Sequence, residues 1–419
     1  MQGDQAPDAE KPSEQVRDNL RMPSPQPSPA TILMAAYTNY RRDPRVQREA
    51  EALVDAGHRV VFLACRQPGE PNRETLFGVD VIKIIGLTNR RTSIAVYLMD
   101  YVLFALMIFA HLLAHPLRYR LIHVNNMPDF LVFGTWLARL TGTPVIHDVH
   151  DLMPELFVEK FRSGEKHWIV GILKWQERWA GRFASAVLTV EERLKDILSA
   201  RGIPRDKIHV LMNLPDDRIF AHRGSGVAKV PNAPFVLVYH GTLARRLGLD
   251  IAIRAVAQAR SEIPQLQFRI IGAGEEREAL IALRDELGLQ DQITFSAGFV
   301  PVNQIPALIA DADAGLIPLR VSSGTDIMLP TKLLEYVTMG IPCITPKTGT
   351  IGRYFDDTMV EFFEAENVDD LAAAIVGLRR DPDRCVALSR QATERFASIY
   401  TWSRHRRVYT DLVTRLLAR

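Results

Sequence analysis

LPTKLLEYVTMGIPCIT, residues 329–345, decides how the chain is read. It has a Pro-x-Lys turn, a Glu one helical turn later, and Gly340-Ile341-Pro342 before a short apolar strand. Pro330 suits the first turn of a helix, where its missing N–H costs nothing. The free N–H groups of that turn attract anions. Lys332 adds a full positive charge beside Thr331, and Glu335 lies on the same helix face. A carboxylate next to an anion site is electrostatically awkward. It makes sense when it accepts hydrogen bonds from hydroxyl groups just beyond the anion, as ribose hydroxyls lie beyond a diphosphate. Taken alone, the segment also reads as an ordinary helix start with a surface Lys–Glu pair.

Two further segments point the same way. FVLVY (235–239) is an apolar run that suits a buried strand, followed by Gly241, the basic pair Arg245-Arg246, Gly248 and an apolar-periodic helix. A glycine turn after a strand lets the backbone approach a phosphate, and arginines offer forked donors to its oxygens. A solvated turn with two surface arginines is the plainer alternative, and the spacing does not say which of the pair faces a ligand. In PVIHDVHDLMPE (144–155), a strand ends where His147, Asp148, His150, Asp151 and Glu155 begin. Ligands of open α/β sheets sit beyond such strand ends. A metal reading of these residues is weakened because adjacent strand residues point to opposite faces.

These motifs resemble those of the retaining glycosyltransferases of family 4. The resemblance covers roughly residues 31–415. It implies the GT-B fold, an α/β architecture of two Rossmann-like doubly wound domains facing each other across a cleft. It implies transfer of a hexosyl-type sugar from a nucleoside diphosphate sugar to an acceptor, with retention, without metal or other cofactor. By the resemblance Lys332, Thr331, Glu335, Gly241 and either Arg245 or Arg246 bind the donor, and Gly298-Phe299-Val300 frames its base. His150, with Asp148 two residues before it, acts at the donor sugar. Thr242, Leu247 and Asp151 depart from the usual pattern and leave open a non-catalytic sugar-nucleotide sensor. A sugar-nucleotide epimerase of the same architecture is the nearer rival.

The beginning of the folded region fits. TILMAAY (31–37) reads as a strand and Asp43-Pro44-Arg45-Val46 as a capped helix start. RVVFLA (59–64) is the next strand. Arg45 faces the first loop, where it either meets an acceptor phosphate or stays a helix-surface residue. Later strands are expected at 120–124, 144–148, 185–190 and 208–213, then at 235–240, 268–272, 292–296, 314–319 and 342–346. Such alternation with amphipathic stretches argues for parallel sheets covered by helices. The expected organisation is a tail (1–29), an acceptor domain (30–222), a sugar-nucleotide domain (223–395) and a C-terminal helix (396–419) that crosses back. The break falls in the Gly/Pro-rich run 221–234.

Composition bounds the partners. Fifty-one basic against 49 acidic residues argue against a general nucleic-acid binder. Three widely spaced cysteines give no disulfide framework or zinc spacing. The tail is rich in Pro, Ser and Gln, is expected to be disordered, and lacks a secretory h-region. Cytoplasmic residence is the expectation. SIAVYLMDYVLFALMIFAHLLAH (93–115) has the length of a membrane span, but Asp100 and His111 would be costly inside one. It reads either as a helix partly in the core and partly docked on the inner face of the membrane, with Arg90, Arg91, Arg118 and Arg120 at its ends meeting anionic head groups, or as a purely internal helix. An acceptor that is a lipid-linked sugar or an envelope polysaccharide precursor follows from that helix. Gly272-Ala273-Gly274 is half of a dinucleotide fingerprint without its third glycine, and reads as a tight turn. Asp311-Ala312-Asp313 reads as a helix-to-strand turn rather than a metal site.

Overall fold

The computed structural model describes residues 29–86, 94–161, 164, 166–222 and 233–419. The tail up to residue 28, Arg90, Arg91 and most of the 221–234 linker lie outside the described residues. Two sheets form, and the expected apolar runs account for eleven of their fourteen strands. The first sheet comprises β1 (Thr31–Ala35), β2 (Arg59–Arg66), β3 (Arg73–Leu76), β4 (Val79–Gly86), β5 (Leu121–Asn125), β6 (Val145–Val149), β7 (Ala186–Thr189) and β8 (Ile208–Val210). Its order is β3-β4-β2-β1-β5-β6-β7-β8, parallel throughout except the β3–β4 hairpin. The second comprises β9 (Phe235–His240), β10 (Leu266–Ile271), β11 (Ile293–Phe295), β12 (Ala314–Leu316), β13 (Cys343–Pro346) and β14 (Glu361–Phe363), in the order β11-β10-β9-β12-β13-β14 and wholly parallel. Both are doubly wound. The strand order reverses between β1 and β5 in one sheet and between β9 and β12 in the other.

The helices that position the site are α1 (Pro44–Asp55), α2 (Ile94–Ala114), α3 (Trp136–Leu140), α4 (Met153–Phe161), α5 (Trp168–Phe183) and α6 (Glu192–Ala200) in the first half. In the second half they are α7 (Leu249–Ala259), α8 (Thr331–Met339) and α9 (Trp402–Leu417). The first sheet is buried on both faces. Leu33, Val61 and Val124 pack with Phe104 and Ile108 of α2, while Met34 and Phe62 pack with Val46 and Leu53 of α1 and Tyr409 of α9. Asp43 starts α1 as expected, its Oδ1 accepting from Val46 N at 3.4 Å. The final helix α9 lies on the first half: Tyr409 Oη is 2.7 Å from His123 Nδ1, and Arg406 pairs with Asp55 at 3.0 Å. Asp217 accepts from the first free N–H groups of α9, Trp402 N at 3.1 Å and Ser403 N at 2.9 Å.

Several expectations need correction. The run 208–213 gives a strand of only three residues, because the chain leaves the sheet after Val210. Three strands were not foreseen: the polar edge strand β3 (RETL), which carries no apolar run, its hairpin partner β4, and the short edge strand β14. Pro330 does not enter the first turn of α8 but occupies its N-cap, with extended φ −65°, ψ 126°. Among the described residues, no helix is long and apolar enough to cross a membrane. In α2, Asp100 is buried and receives Tyr37 Oη at 3.4 Å, and His111 Nε2 lies 2.7 Å from Tyr119 Oη. The two ionisable groups are thus satisfied inside the protein.

The turn after β9 depends on Gly248. It sits at φ 66°, and a Cβ there would stand 1.7 Å from the Pro318 carbonyl oxygen. Left-handed backbone costs a residue with a Cβ about 1–2 kcal/mol before any clash. Gly248→Ala is therefore expected to destabilise the chain by more than about 2 kcal/mol. Gly57→Ala, at φ 85° with open space around it, should lose only the backbone part. Denaturant unfolding of the two variants measures the difference.

Candidate functional site

The C-terminal ends of the two sheets face a cleft of about 1010 Å³. Both reversal points of strand order open onto it, which is where ligands of doubly wound sheets bind. The second half supplies His240, Gly241, Thr242 and Arg246 after β9, Ala273 after β10, Phe299 and Val300 after β11, and Thr331, Lys332 and Glu335 from the start of α8. The first half supplies Arg42, Arg45 and Arg48 from α1 and its approach, and His150, Glu155 and Glu159 from β6 onward.

The wall around α8 is built on buried charge. Lys332 is 9% exposed, its Nζ 3.3 Å from Tyr239 Oη and 4.6 Å from the centre of that ring. Burial pulls its pKa down to about 8; Glu335 partly offsets this and Arg246 reinforces it. Glu335 is pushed up to about 7, again by burial, against the opposing charges of Arg48 and Lys332. His240 Nε2 lies 3.1 Å from Glu335 Oε2. Burial, helped by Lys332, lowers the His240 pKa to about 3, so this imidazole meets the carboxylate uncharged. No side chain caps the start of α8, and its first N–H groups stay available beside Lys332. Gly241 keeps the loop close: a Cβ on it would stand 3.3 Å from Lys332 Cε.

Opposite, His150 rests on a network of fixed charge. Its Nδ1 lies 3.7 Å from Asp148 Oδ2 and its Nε2 3.7 Å from Asp151 Oδ2. Asp148 is buried. Burial acts to raise its pKa, but Arg45, 3.6 Å away, and His150 outweigh that and hold it below the usual carboxylate range. Asn125 Nδ2 bridges Glu49 Oε2 at 3.0 Å and Asp148 Oδ2 at 2.9 Å. Glu49 is raised by burial and by Asp148. Glu49, His123 and Asp148 approach closely enough to consider a shared cation. Asn125 already bridges the two carboxylates, and Arg45 supplies the positive charge, so the protein neutralises this group itself. His147 points away from the cleft, its Nε2 3.4 Å from Asp129 Oδ1, which separates it from His150 as strand alternation requires.

Most of the expected residues converge. Thr331, Lys332, Glu335, Gly241, Phe299, Val300, His150 and Arg45 line one cleft. Of the arginine pair, Arg246 lines it, with Nε 3.5 Å from Glu159 of α4 across the cleft. Arg245 does not: it is exposed and lies outside the lining of the cleft. Asp148 is not at the surface of the cleft and holds His150 rather than touching a ligand. Gly298 lies behind Phe299, its carbonyl accepting from Ser296 Oγ at 2.9 Å. Arg45 is neither a free acceptor grip nor a helix-surface residue, being paired with Asp148 and, at 4.0 Å, Glu49. Gly272 and Gly274 allow close loop packing, since a Cβ on either would stand about 2 Å from the carbonyl oxygen of Gly241 or Leu243. Asp313 Oδ2 accepts from Val236 N at 2.6 Å, as the turn reading expects.

Sequence reasoning missed His240, Arg42 and Arg48. His240 ends the β9 run, at the strand end where ligands are expected, and was the findable one. Arg48 lies one turn after Arg45 on the same face of α1 and reaches Asn213 and the Trp402 ring, 5.6 Å away. Arg42 stands 5.5 Å over the Phe299 ring, a contact between the halves that only the fold creates.

Two family descriptions match in tandem, "Glycosyl transferase 4-like domain" over residues 43–213 and "Glycosyl transferases group 1" over residues 225–395. The chain belongs to the GT-B glycosyltransferases of this group. The alpha-D-kanosaminyltransferase of Streptomyces kanamyceticus is 27% identical over 288 residues, 61% of this chain and 72% of that protein. The GDP-mannose-dependent alpha-(1-6)-phosphatidylinositol monomannoside mannosyltransferase of Mycolicibacterium smegmatis is 28% identical over 177 residues, 42% of this chain and 45% of that protein. The chain spans about half the length of several of the curated relatives it matches. Sucrose-phosphate synthase from Thermosynechococcus elongatus shares the fold at a TM-score of 0.74, with 19% identity, 93% of this chain and 99% of that chain covered.

The buried Glu335 gives this GT-B chain a pH signature. Its carboxyl keeps a proton up to about pH 7, against 4.5 for an ordinary glutamate. Between those values the folded state binds more protons than the unfolded one, so stability falls as pH rises. Glu335→Gln should flatten that fall by on the order of 2 kcal/mol between pH 5 and 7, read from urea unfolding at each pH.

Proposed function

We propose that the chain transfers a hexosyl residue from a nucleoside diphosphate sugar to an acceptor hydroxyl, with retention of configuration and without a metal ion. The observation that carries this is the buried Lys332 ammonium at the uncapped start of α8, with Glu335 one turn behind it. That arrangement has the charge for a diphosphate and, next to it, acceptors for ribose hydroxyls. Lys332, Arg246 and the N–H groups of α8 neutralise the diphosphate and stabilise it as its charge grows. Glu335 receives the ribose, and Phe299 with Val300 frames the base. The bond from the anomeric carbon to the diphosphate oxygen breaks and the bond to the acceptor oxygen forms on the same face. The acceptor proton passes to the leaving phosphate. His150, fixed by Asp148, lies over the sugar and orients its hydroxyls during that step. The acceptor is a lipid-linked sugar or an envelope polysaccharide precursor. The mycobacterial relative, a phosphatidylinositol monomannoside mannosyltransferase by name, supports a lipid-linked one. The protein then works in the cytoplasm at the inner face of a membrane, touched through the 93–115 helix.

The deciding assay is acceptor-dependent release of nucleoside diphosphate, after a thermal-shift screen of UDP-, GDP- and ADP-sugars has found the donor. A true donor at 100 times its Kd stabilises by about 2.7 kcal/mol. Absence of any stabilising sugar nucleotide overturns the reading.

Arg246→Ala is expected to weaken nucleoside diphosphate binding by about 1.5–3 kcal/mol, the range for a charge-assisted contact, while Arg245→Ala leaves it nearly unchanged. His150→Ala should lower kcat strongly with little change in nucleotide affinity. Calorimetric titration and steady-state rates separate the three variants; equal losses from both arginine variants contradict the assignment.

EDTA is expected to leave turnover within about twofold, because protein cations carry the diphosphate charge. Activity abolished by chelation and restored by Mg²⁺ or Mn²⁺ contradicts the roles of Lys332 and Arg246.

A further inference from the structure

One face of the first half is apolar over three adjacent helices, and no described part of the chain covers it. Phe109 of α2 stacks on Trp136 of α3, with ring centroids 6.1 Å apart and planes at 6°. The turn leading into α3 packs on α5 through Phe133 and Phe183, 5.4 Å apart. On α5, Trp168, Ile172, Trp175 and Trp179 follow at intervals of four, three and four residues, which places them on a single stripe. That stripe faces outward, at 69, 49, 63 and 51% exposure. With Trp136 on α3, four of the five tryptophans of the chain are at the surface of this face, and Trp402 alone is buried. Leu98, Met99, Leu103, Leu106 and Leu113 of α2 extend the same apolar surface.

The charge around it is one-sided. Asp100 and Glu177 are the acids of α2, α3 and α5, and both are buried, Glu177 against Arg201 at 2.9 Å. Arg118 beyond α2, and Arg178 and Arg182 on α5, are exposed. A second copy of this face would bring like charges together in a two-fold contact. An anionic bilayer matches both features: tryptophan belongs at the head-group level, and basic side chains at the rim gain from the negative surface. The face also leads to the cleft. Trp168 is next to His167 at 5.9 Å, His167 to Phe157 at 5.8 Å, and Phe157 sits on α4, whose Leu156 and Glu159 line the cleft.

We propose that the tryptophan stripe of α5, together with α3 and the outer side of α2, docks on an anionic lipid bilayer and brings the α4 edge of the cleft to the membrane surface, where a lipid-borne acceptor enters. The docking stands on the surface alone; the acceptor route rests on the glycosyl-transfer reading.

The test uses the full chain and vesicles of phosphatidylcholine with or without phosphatidylglycerol. Intrinsic tryptophan emission should shift to the blue on anionic vesicles and be quenched by lipids brominated on the acyl chain. Co-sedimentation should weaken about fivefold per engaged cation on neutral vesicles. Trp175→Ser/Trp179→Ser should lower partitioning at least tenfold with an unchanged melting temperature, and Arg178→Gln/Arg182→Gln should lower it on anionic vesicles only. Unquenched emission, or wild-type partitioning of the tryptophan variant, overturns the proposal. So does a concentration-dependent dimer that the tryptophan variant abolishes while neither protein binds vesicles. Transfer to a short water-soluble acceptor reports the enzyme reading separately. If that transfer proceeds without vesicle binding, docking alone falls; if vesicles bind and no donor is ever used, the transfer reading alone falls.

Discussion

A lysine ammonium taken out of water holds its charge only where something nearby repays the loss of hydration. Much of the cleft is arranged around that constraint at Lys332. Glu335 stands one turn away, the Tyr239 ring and hydroxyl lie beneath it, and His240 is kept neutral so that it adds no competing charge. The compensation is incomplete, as the depressed lysine and elevated glutamate show. An incoming dianion would complete it. The lysine and the glutamate are thus each held away from their preferred charge, which is the electrostatic basis of the proposed diphosphate and ribose contacts. The glycines of the β9 and β10 loops serve the same end by letting backbone approach backbone around that lysine.

The facing wall solves a related problem in another way. Two buried carboxylates, Glu49 and Asp148, would repel each other. Asn125 bridges them, Arg45 neutralises them, and Glu49 tends to hold its proton. His150 inherits a fixed position from this arrangement. Arg45 thus lines the cleft while its charge is spent on these carboxylates.

The sheets were largely legible because buried parallel strands are continuous apolar runs, and the family resemblance carried by residues 329–345 marks the α8 wall. What was not legible depended on three-dimensional aim. Nothing in the order of Arg245 and Arg246 tells which side chain a 3-10 turn sends into the cleft. The β3 edge strand has a polar sequence with no periodic mark. Arg42 and Phe299 are 257 positions apart in the sequence and meet only because the halves face each other. The tryptophan stripe is a different kind of failure. Trp168, Ile172, Trp175 and Trp179 have the spacing of a core-facing helix, and only the structure reveals that the core lies on the other side.

The helix α9 is anchored in the first half by Asp217 at its start and by Tyr409 against His123, while His405 packs on Tyr400 just ahead of it. The polypeptide therefore passes between the halves twice, once between β8 and β9 and once just ahead of α9. Two linkages restrict relative motion more than one does. A change in the width of the cleft would have to leave α9 seated on the first half, and the short segment just ahead of it would take up the difference.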